Sequence, residues 1–186
     1  MGTIDRHGFL WVVDHRVGWL DPLVVGLTWS GFAGLVWIAL AAILSWRGAR
    51  PIAASVALVA ASVWCADLLA SAIKLGAARP RPGETIGAAD PLVQTFGSSF
   101  PSGHAATSFA GAVVLASLVP RGLAWFLLLA AAIAYSRVYV GVHYPLDVAA
   151  GALVGAAVGG GAVALVRSRP RLAAALRGSE ARPLPG

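Results

Sequence analysis

Residues 51–75, PIAASVALVAASVWCADLLASAIKL, form one apolar run in which Asp67 and Lys74 are the only charged side chains. A helix that crosses the hydrocarbon core of a bilayer needs about 20 such residues. The sequence therefore predicts an all-α, polytopic transmembrane helix bundle of about five spans. Runs of the same kind occupy positions 22–46, 102–119, 123–140 and 145–166.

The composition supports a membrane protein. The 186-residue chain is 58% apolar and only 12% charged, and its mean hydropathy is +0.77. Soluble proteins have about 45–50% apolar and about 25% charged residues. These values exclude a soluble enzyme, a disordered chain and a nucleic-acid-binding protein, despite the net charge of +6. Cys65 is the only cysteine, which excludes an intrachain disulfide and a thiolate metal cluster.

The two ends of the chain differ from the spans. Phe9, Val12 and Val13 fall on one face of a predicted N-terminal helix, as in helices that lie in the membrane interface; a partial extra span is the alternative. The C-terminal segment is rich in Arg, Pro and Gly and is suited to anionic lipid headgroups. The prediction is an amphipathic interfacial helix at 1–21, a transmembrane domain at 22–166 with a long outer loop at 76–101, and a basic, disordered tail at 167–186.

The arginines set the predicted orientation. Threading five spans through the membrane places eight of them on one side, and an excess of Lys and Arg in short loops marks the cytoplasm. We therefore expect a multi-pass protein of a bacterial inner membrane with a cytoplasmic C-terminus and an extracytoplasmic long loop. The eight residues are Arg47, Arg50, Arg121, Arg167, Arg169, Arg171, Arg177 and Arg182.

Three polar clusters lie at span ends, where ionisable side chains are costly and point to function. The first contains Lys74, Arg79 and Arg81 at the outer end of the second span. A lysine snorkelling to the headgroups is the alternative for Lys74. Because Arg79 and Arg81 alternate around Pro80, the pattern allows only one of them to point inward.

The second cluster opens the third span. Ser102 is a good N-cap, Gly103 lets a ligand approach the backbone, and His104 lies in the first helical turn. Free N–H groups and the positive end of the helix make this segment an anion site. An ordinary cap with an interfacial histidine is the alternative.

The third cluster joins the last two spans and contains Arg137, His143 and Asp147. A carboxylate beside an imidazole fixes its tautomer and prepares it for nucleophilic or acid–base work. The alternative is a structural ion pair between Arg137 and Asp147 that ties two helices together.

All three clusters are predicted on the outer face. Cations, a helix N-terminus and two histidines with a carboxylate suit phosphoryl transfer through a phosphohistidine, with Lys and Arg neutralising the charge. No carboxylate cluster is available for magnesium or calcium, and two histidines with one aspartate make a poor zinc site. We therefore predict neither a metal nor another cofactor. The residues alone do not decide which histidine is the nucleophile.

The ordered motifs Lys74-x6-Arg81-Pro82, Pro101-Ser102-Gly103-His104 and Ser136-Arg137-x5-His143-x3-Asp147 resemble the three-part signature of the type 2 phosphatidic-acid phosphatase family. This superfamily includes membrane lipid phosphatases and vanadium haloperoxidases.

The resemblance implies a role for each matching position. His143 would be the nucleophile, Asp147 would orient it, and His104 would be the general acid. The phosphate oxygens would be bound by Lys74, Arg81, Ser102, Gly103 and Arg137. The expected substrate is a lipid phosphate or diphosphate, with undecaprenyl diphosphate ahead of phosphatidylglycerol phosphate.

Two other functions fit part of this pattern. A non-catalytic lipid-phosphate carrier or flippase would not need His143 paired with Asp147 and would show internal repeats, which the sequence lacks. A vanadium-dependent peroxidase is opposed by the five spans and by the lack of a large soluble lid.

Two sets of residues in the spans lie outside the three motifs. Asp67 is expected to make a polar contact within the bundle, and a relay to the site is the alternative. Gly151, Gly155 and Gly159 repeat every four residues and allow close helix packing. Packing inside the bundle is favoured over a homodimer through this face.

Overall fold

The structure is a computed structural model that describes residues 3–48, 50–86 and 90–177. Every regular element in these ranges is helical, which confirms the all-α prediction. The helices are α1 (Thr3–Asp14), α2 (Asp21–Ser30), α3 (Leu35–Arg47), α4 (Ile52–Ala77), α5 (Pro82–Thr85), α6 (Gly103–Leu118), α7 (Leu123–Tyr139), α8 (Pro145–Ser168) and α9 (Pro170–Arg177).

Helix α6 is the centre of the bundle and contacts α3, α4, α7 and α8. Its small residues make this possible, since Ala105, Ala106 and Ala110 are completely buried. The row Gly151, Gly155 and Gly159 of α8 packs directly on them. A Cβ at Gly155 would overlap the carbonyl oxygen of Ala106, and one at Gly159 would lie 2.9 Å from the carbonyl oxygen of Ala110.

The glycine row therefore packs against another helix of the same chain. Gly151, Gly155 and Gly159 are all buried, and this face of α8 is covered by α6. The homodimer contact that the sequence left open through these glycines is not supported, because the face is not available to a second copy.

The first predicted span, 22–46, is not one continuous helix. It divides at Gly31 into α2 and α3, which are joined by a 3₁₀ turn at Phe32–Gly34. The two halves of the span are bent by 53° relative to each other. The turn requires positive φ at Ala33 (49°) and Gly34 (69°). A Cβ at Gly31 would lie 2.6 Å from a methyl carbon of Ile133, so the chain approaches α7 closely at the break.

Within the described residues, three helical segments are long and apolar enough to cross a membrane by themselves, and the bent pair of α2 and α3 makes a fourth if it forms one span. The three are α4 together with α5 (Ile52–Thr85), α7 together with the turn before it (Pro120–Tyr139) and α8 (Pro145–Ser168). Helix α6 is apolar but has only 16 residues, fewer than the roughly 20 of a full span. The chain is a multi-pass membrane protein, but α6 falls short of the length expected for a fifth span.

Helix α1 is shorter than the predicted segment 1–21 and is packed against α7 and α8. Phe9 is completely buried, and its ring meets the edge of Tyr144 at a centroid distance of 5.5 Å. Trp11 on the opposite face is 62% exposed. The helix is thus two-faced, as predicted, but its apolar face packs on protein; its position relative to the membrane remains a prediction.

The C-terminal segment departs from the prediction of disorder from residue 167. Helix α8 continues to Ser168, and α9 follows directly, with Leu176 buried against the bundle. The prediction is therefore wrong as far as residue 177, because the leucines of α9 find an apolar surface to cover. Residues 178–186 of the predicted tail lie outside the described residues.

Candidate active site

The three sequence clusters meet at one end of the bundle. The last turn of α4, the first turn of α6 and the loop between α7 and α8 converge there. Lys74 donates to the carbonyl oxygen of Pro101 at 2.5 Å, and the backbone N–H of Ser102 donates to the carbonyl oxygen of Asp147 at 2.9 Å. Segments far apart in sequence are therefore fastened together where the polar side chains lie.

His143 and Asp147 lie side by side in the buried part of this site. His143 is 3% exposed, and its Nδ1 lies 3.6 Å from Oδ2 of Asp147. The same carboxylate oxygen accepts the backbone N–H of Tyr144 at 2.9 Å, which caps the N-terminus of α8. A carboxylate in the first turn of a helix is stabilised by the free N–H groups there. Asp147 is thus fixed, with Oδ2 turned towards the imidazole.

The charge state of His143 follows from its surroundings. Burial, assisted by the nearby cationic side chains, lowers the pKa of His143 to about 4, although the Asp147 carboxylate opposes this shift. At neutral pH the ring is therefore uncharged and keeps a nitrogen lone pair. An uncharged imidazole is the form that can act as a nucleophile or base.

The cation next to Asp147 is Arg79. Arg79 donates from Nη1 to Oδ1 of Asp147 at 2.5 Å, and its other terminal nitrogen pairs with Asp5 of α1. The ion pair between Arg137 and Asp147 that the sequence allowed is not present among the described residues.

Asp5 was missed by the sequence reasoning. Its side chain is fully buried, pairs with Arg79 and accepts the backbone N–H of Leu146 at 2.9 Å. The N-terminal helix is thereby linked to the start of α8. The signal was present in the spacing, because Asp5, Phe9 and Val12 lie four and three residues apart and share one helical face. A carboxylate on the apolar face of a helix requires a partner.

Arg81 and Lys74 are held by backbone carbonyl groups. Arg81 is 8% exposed and donates to the carbonyl oxygens of Gly97 and Val142, both at 2.9 Å. Lys74 also donates to the carbonyl oxygen of Ser98 at 3.3 Å. Arg81 also donates from Nη2 to the carbonyl oxygens of Phe96 at 3.1 Å and Ser98 at 3.4 Å. Both cations therefore tie the loop at 76–101 to the bundle. An arginine has five N–H donors, and these contacts leave one of them for a ligand.

Arg137 is positioned by a residue of the first span. Its Nη1 donates to the hydroxyl oxygen of Thr28 at 2.7 Å, and the hydroxyl groups of Thr28 and Ser136 lie 2.9 Å apart. Arg137 Nε is buried without a hydrogen-bond partner among the described residues. Thr28 was also missed, although a polar side chain within an apolar span is a signal by itself.

Ser102, Gly103 and His104 lie at the N-terminus of α6. The hydroxyl oxygen of Ser102 accepts the backbone N–H of Ala105 at 3.4 Å and caps the helix. His104 is half-buried, and its ring approaches the break in the first span, where a Cβ on Gly31 would lie 3.2 Å from Cδ2. A Cβ on Gly103 would lie 3.1 Å from Oδ1 of Asp67, so this carboxylate stands beside the helix start.

Taken together, the charges at this site favour an anion. The four cations Lys74, Arg79, Arg81 and Arg137 accompany the two carboxylates of Asp5 and Asp147 at a helix N-terminus. Arg79 and Arg81 both turn into the bundle, so the prediction that only one of them points inward is wrong. Excess positive charge in a buried setting attracts a multiply charged anion. Within the described ranges, no three His, Cys, Asp or Glu side chains are grouped to hold a metal ion.

Comparison with known proteins agrees with this geometry. Residues 52–171, which contain all three motifs, match the family model of the PAP2 superfamily. The chain belongs to the PAP2 superfamily. This membership confirms the resemblance that the motifs predicted.

Several of the similar proteins are named as phosphatases or diphosphatases. The crystal structure of Aquifex aeolicus LpxE superposes on this chain with a TM-score of 0.77 at 26% identity. The superposition covers 88% of this chain and 96% of the LpxE chain. A phosphatidylglycerolphosphate phosphatase from Bacillus subtilis, with a TM-score of 0.73 and 23% identity over 91% of this chain and 87% of its own, shares the fold. An undecaprenyl-diphosphatase of Sulfolobus acidocaldarius is 52% identical over 59 residues, which cover 31% of this chain and 28% of that protein. This PAP2 chain thus aligns with under a third of that relative's length.

Proposed function

We propose that this protein is a lipid phosphatase that hydrolyses the phosphate ester or diphosphate of a membrane lipid. The observation that carries the proposal is the buried His143 beside the fixed carboxylate of Asp147, within a cluster of cations at the end of a membrane bundle. A binding site alone would need the cations and would have no use for an oriented imidazole.

The first step is the attack of His143 on phosphorus. Because Nδ1 faces Asp147, the nucleophile is Nε2. A bond forms between Nε2 and phosphorus, and the bond from phosphorus to the lipid or phosphate oxygen breaks. His104 gives its proton to that departing oxygen. Asp147 stabilises the positive charge that develops on the ring.

The second step releases phosphate. Water attacks the phosphohistidine, His104 takes its proton, and the nitrogen–phosphorus bond breaks to restore the neutral ring of His143. In both steps Lys74, Arg81 and Arg137 bind the phosphoryl oxygens, together with Ser102 and the backbone N–H of Gly103. These groups supply the charge stabilisation that a metal ion supplies in other phosphoryl-transfer enzymes.

The preferred substrate is undecaprenyl diphosphate, followed by phosphatidylglycerol phosphate. The undecaprenyl-diphosphatase of Sulfolobus acidocaldarius and the phosphatidylglycerolphosphate phosphatase from Bacillus subtilis support these two candidates. The site lies at the end of apolar helices, at the depth where a lipid phosphate resides. The excess of arginines at the opposite ends of the helices supports an extracytoplasmic site on a bacterial inner membrane.

The test is phosphate release by the purified protein in detergent, from a panel of lipid phosphates and diphosphates in the presence of EDTA. His143→Ala should abolish release, whereas His15→Ala, at an exposed histidine of the N-terminal region, should leave it unchanged. Equal release by the wild type and His143→Ala would exclude the catalytic role. Loss of activity in EDTA would exclude the metal-free mechanism.

Two further measurements address the covalent step. Vanadate should inhibit, because its trigonal-bipyramidal form resembles the transferring phosphoryl group. His104→Ala should lower turnover roughly 10²–10⁴-fold, the usual effect of losing a general acid, while binding of the lipid is retained. Binding of the lipid phosphate with no release from any substrate of the panel would instead identify a carrier.

A further inference from the structure

Three arginines converge at the end of the bundle opposite the candidate active site. Arg50 precedes α4, Arg167 lies in the last turn of α8, and Arg177 ends α9. They line one cavity of about 170 Å³. None of the three is paired with a carboxylate in the portion of the chain that the structure describes. Guanidinium groups that share a cavity repel one another unless an anion lies between them.

An apolar groove opens from this cavity. It has a volume of about 480 Å³, lies between α4 and α8 and is bounded at one end by α9. Leu58, Val166 and Leu176 line both the groove and the arginine-lined cavity, so the two spaces are adjacent. Small residues such as Ala57 and Gly161 form the walls of the groove and leave room for a chain of methylene groups.

The cavity and the groove lie at the depths where a phospholipid has its headgroup and its acyl chains. Asp147 and Arg167 mark the first and last turns of α8, and the helix between them is about 30 Å long at about 1.5 Å per residue. This length equals the thickness of the hydrocarbon core. With the candidate active site at one headgroup level, as proposed above, the arginines lie at the headgroup level of the other leaflet, and the groove lies in its acyl region.

Helix α9 completes the site. Leu172 lines the groove while Arg171 is exposed, which is the distribution expected of a short helix in the membrane interface. Because Leu176 lines the groove and the neighbouring Arg177 lines the cavity, α9 would contact both parts of one bound lipid.

We propose that this protein binds an anionic phospholipid in the leaflet opposite the candidate active site. Its phosphate is held by Arg50, Arg167 and Arg177, and one acyl chain lies in the groove between α4 and α8. This is a second lipid site, about one membrane thickness from His143, and it does not depend on turnover. Charge selects the headgroup, and the apolar groove excludes free phosphate as the natural occupant.

The headgroup part is tested by native mass spectrometry of the full chain, released from detergent with equimolar dioleoyl phosphatidylglycerol and dioleoyl phosphatidylcholine. The wild type should retain phosphatidylglycerol preferentially. The triple variant R50Q/R167Q/R177Q should lose this preference by on the order of 100-fold, since each arginine near an anionic lipid surface contributes roughly fivefold.

The matched control is R47Q/R169Q/R171Q, which removes three charges from the same end of the bundle without touching the cavity. It should keep the preference of the wild type. No preference in the wild type, an unchanged preference in R50Q/R167Q/R177Q, or an equal loss in the control would each overturn the proposal. Size-exclusion profiles that match the wild type show that the variants are folded.

The acyl-chain part is tested with two neighbouring glycines. A Cβ at Gly160 or at Gly161 meets no atom within 4 Å, so leucine is tolerated at both, but only Gly161 lines the groove. Gly161→Leu should weaken retention of phosphatidylglycerol at least tenfold relative to Gly160→Leu. Equal retention by the two variants, or displacement of the lipid by millimolar inorganic phosphate, would overturn the lipid assignment in favour of a simple anion site.

Discussion

Replacing Asp5 with asparagine isolates the link between the N-terminal helix and the candidate active site. The Asp5 carboxylate is fully buried and accepts hydrogen bonds from Arg79 and from the backbone N–H of Leu146. A hydrogen bond to a charged group contributes about 1.5–3 kcal/mol, and one between neutral groups about 0.5–1.5 kcal/mol. Removing the negative charge from the acceptor of both hydrogen bonds therefore lowers the free energy of unfolding by about 2–3 kcal/mol. Arg79 keeps its hydrogen bond to Asp147 and part of its contact with water, so we expect the free energy of unfolding to fall by about 2 kcal/mol.

The measurement is equilibrium unfolding in mixed micelles, followed by tryptophan fluorescence. Asp5→Asn, Arg79→Gln and the double variant form a cycle, which separates the pair from the other contacts of each residue. Asp14→Asn is the control, because Asp14 lies on the same helix and is exposed. A destabilisation by Asp5→Asn no larger than that of Asp14→Asn, or a cycle with no coupling, would refute the role of this pair in holding α1.

Three further outcomes are expected. NMR titration of histidine-labelled protein should give a resonance with a midpoint near pH 4 that is lost in His143→Asn. Because this folded-state pKa lies below the usual 6.5, the unfolded chain binds more protons than the folded chain between pH 4 and 6.5. The free energy of unfolding should therefore fall as the pH drops from 6.5 to 4. Thr28→Val should lower kcat/KM roughly 10- to 100-fold, because Arg137 loses a charge-assisted hydrogen bond. Gly155→Val should lower the free energy of unfolding by about 3 kcal/mol or more, because its side chain would overlap the backbone of Ala106.

Controls make each of these three outcomes decisive. A histidine midpoint near 6.5 for the resonance lost in His143→Asn would show that the ring is solvated. Thr28→Ser retains the hydroxyl and should restore kcat/KM, and no recovery would mean that packing rather than the hydrogen bond is responsible. Gly160→Val faces open space, so a loss equal to that of Gly155→Val would refute the close contact between α8 and α6.

The sequence was sufficient to predict most of the helices and the meeting of the three motifs. Apolar runs between polar clusters leave few alternatives for a membrane chain, and the threading brought Lys74, His104 and His143 to one end. The break in the first span was not predicted, because the hydropathy is continuous through Gly31 and only the contacts with α7 and α4 require the turn.

Tertiary contacts explain the remaining differences. The pairing of Asp5 with Arg79 joins residues that are 74 positions apart, and no local pattern specifies such a pair. The helix α9 was missed because its basic composition resembles that of a disordered tail; it is ordered by the apolar surface that its leucines cover. The pattern of charges thus predicted where the site lies, whereas the groups that hold the site in place could be identified only from the folded structure.

The central position of α6 has a consequence for biosynthesis. Its most extensive contact is with α8, the last of the membrane helices to be made. Until residues 145–168 have left the ribosome, α6 lacks the surface against which its alanines pack, and Ser102 lacks the carbonyl group of Asp147. The candidate active site therefore cannot form during translation of the first four-fifths of the chain. A nascent chain arrested before α8 would be inserted in the membrane yet lack the assembled site.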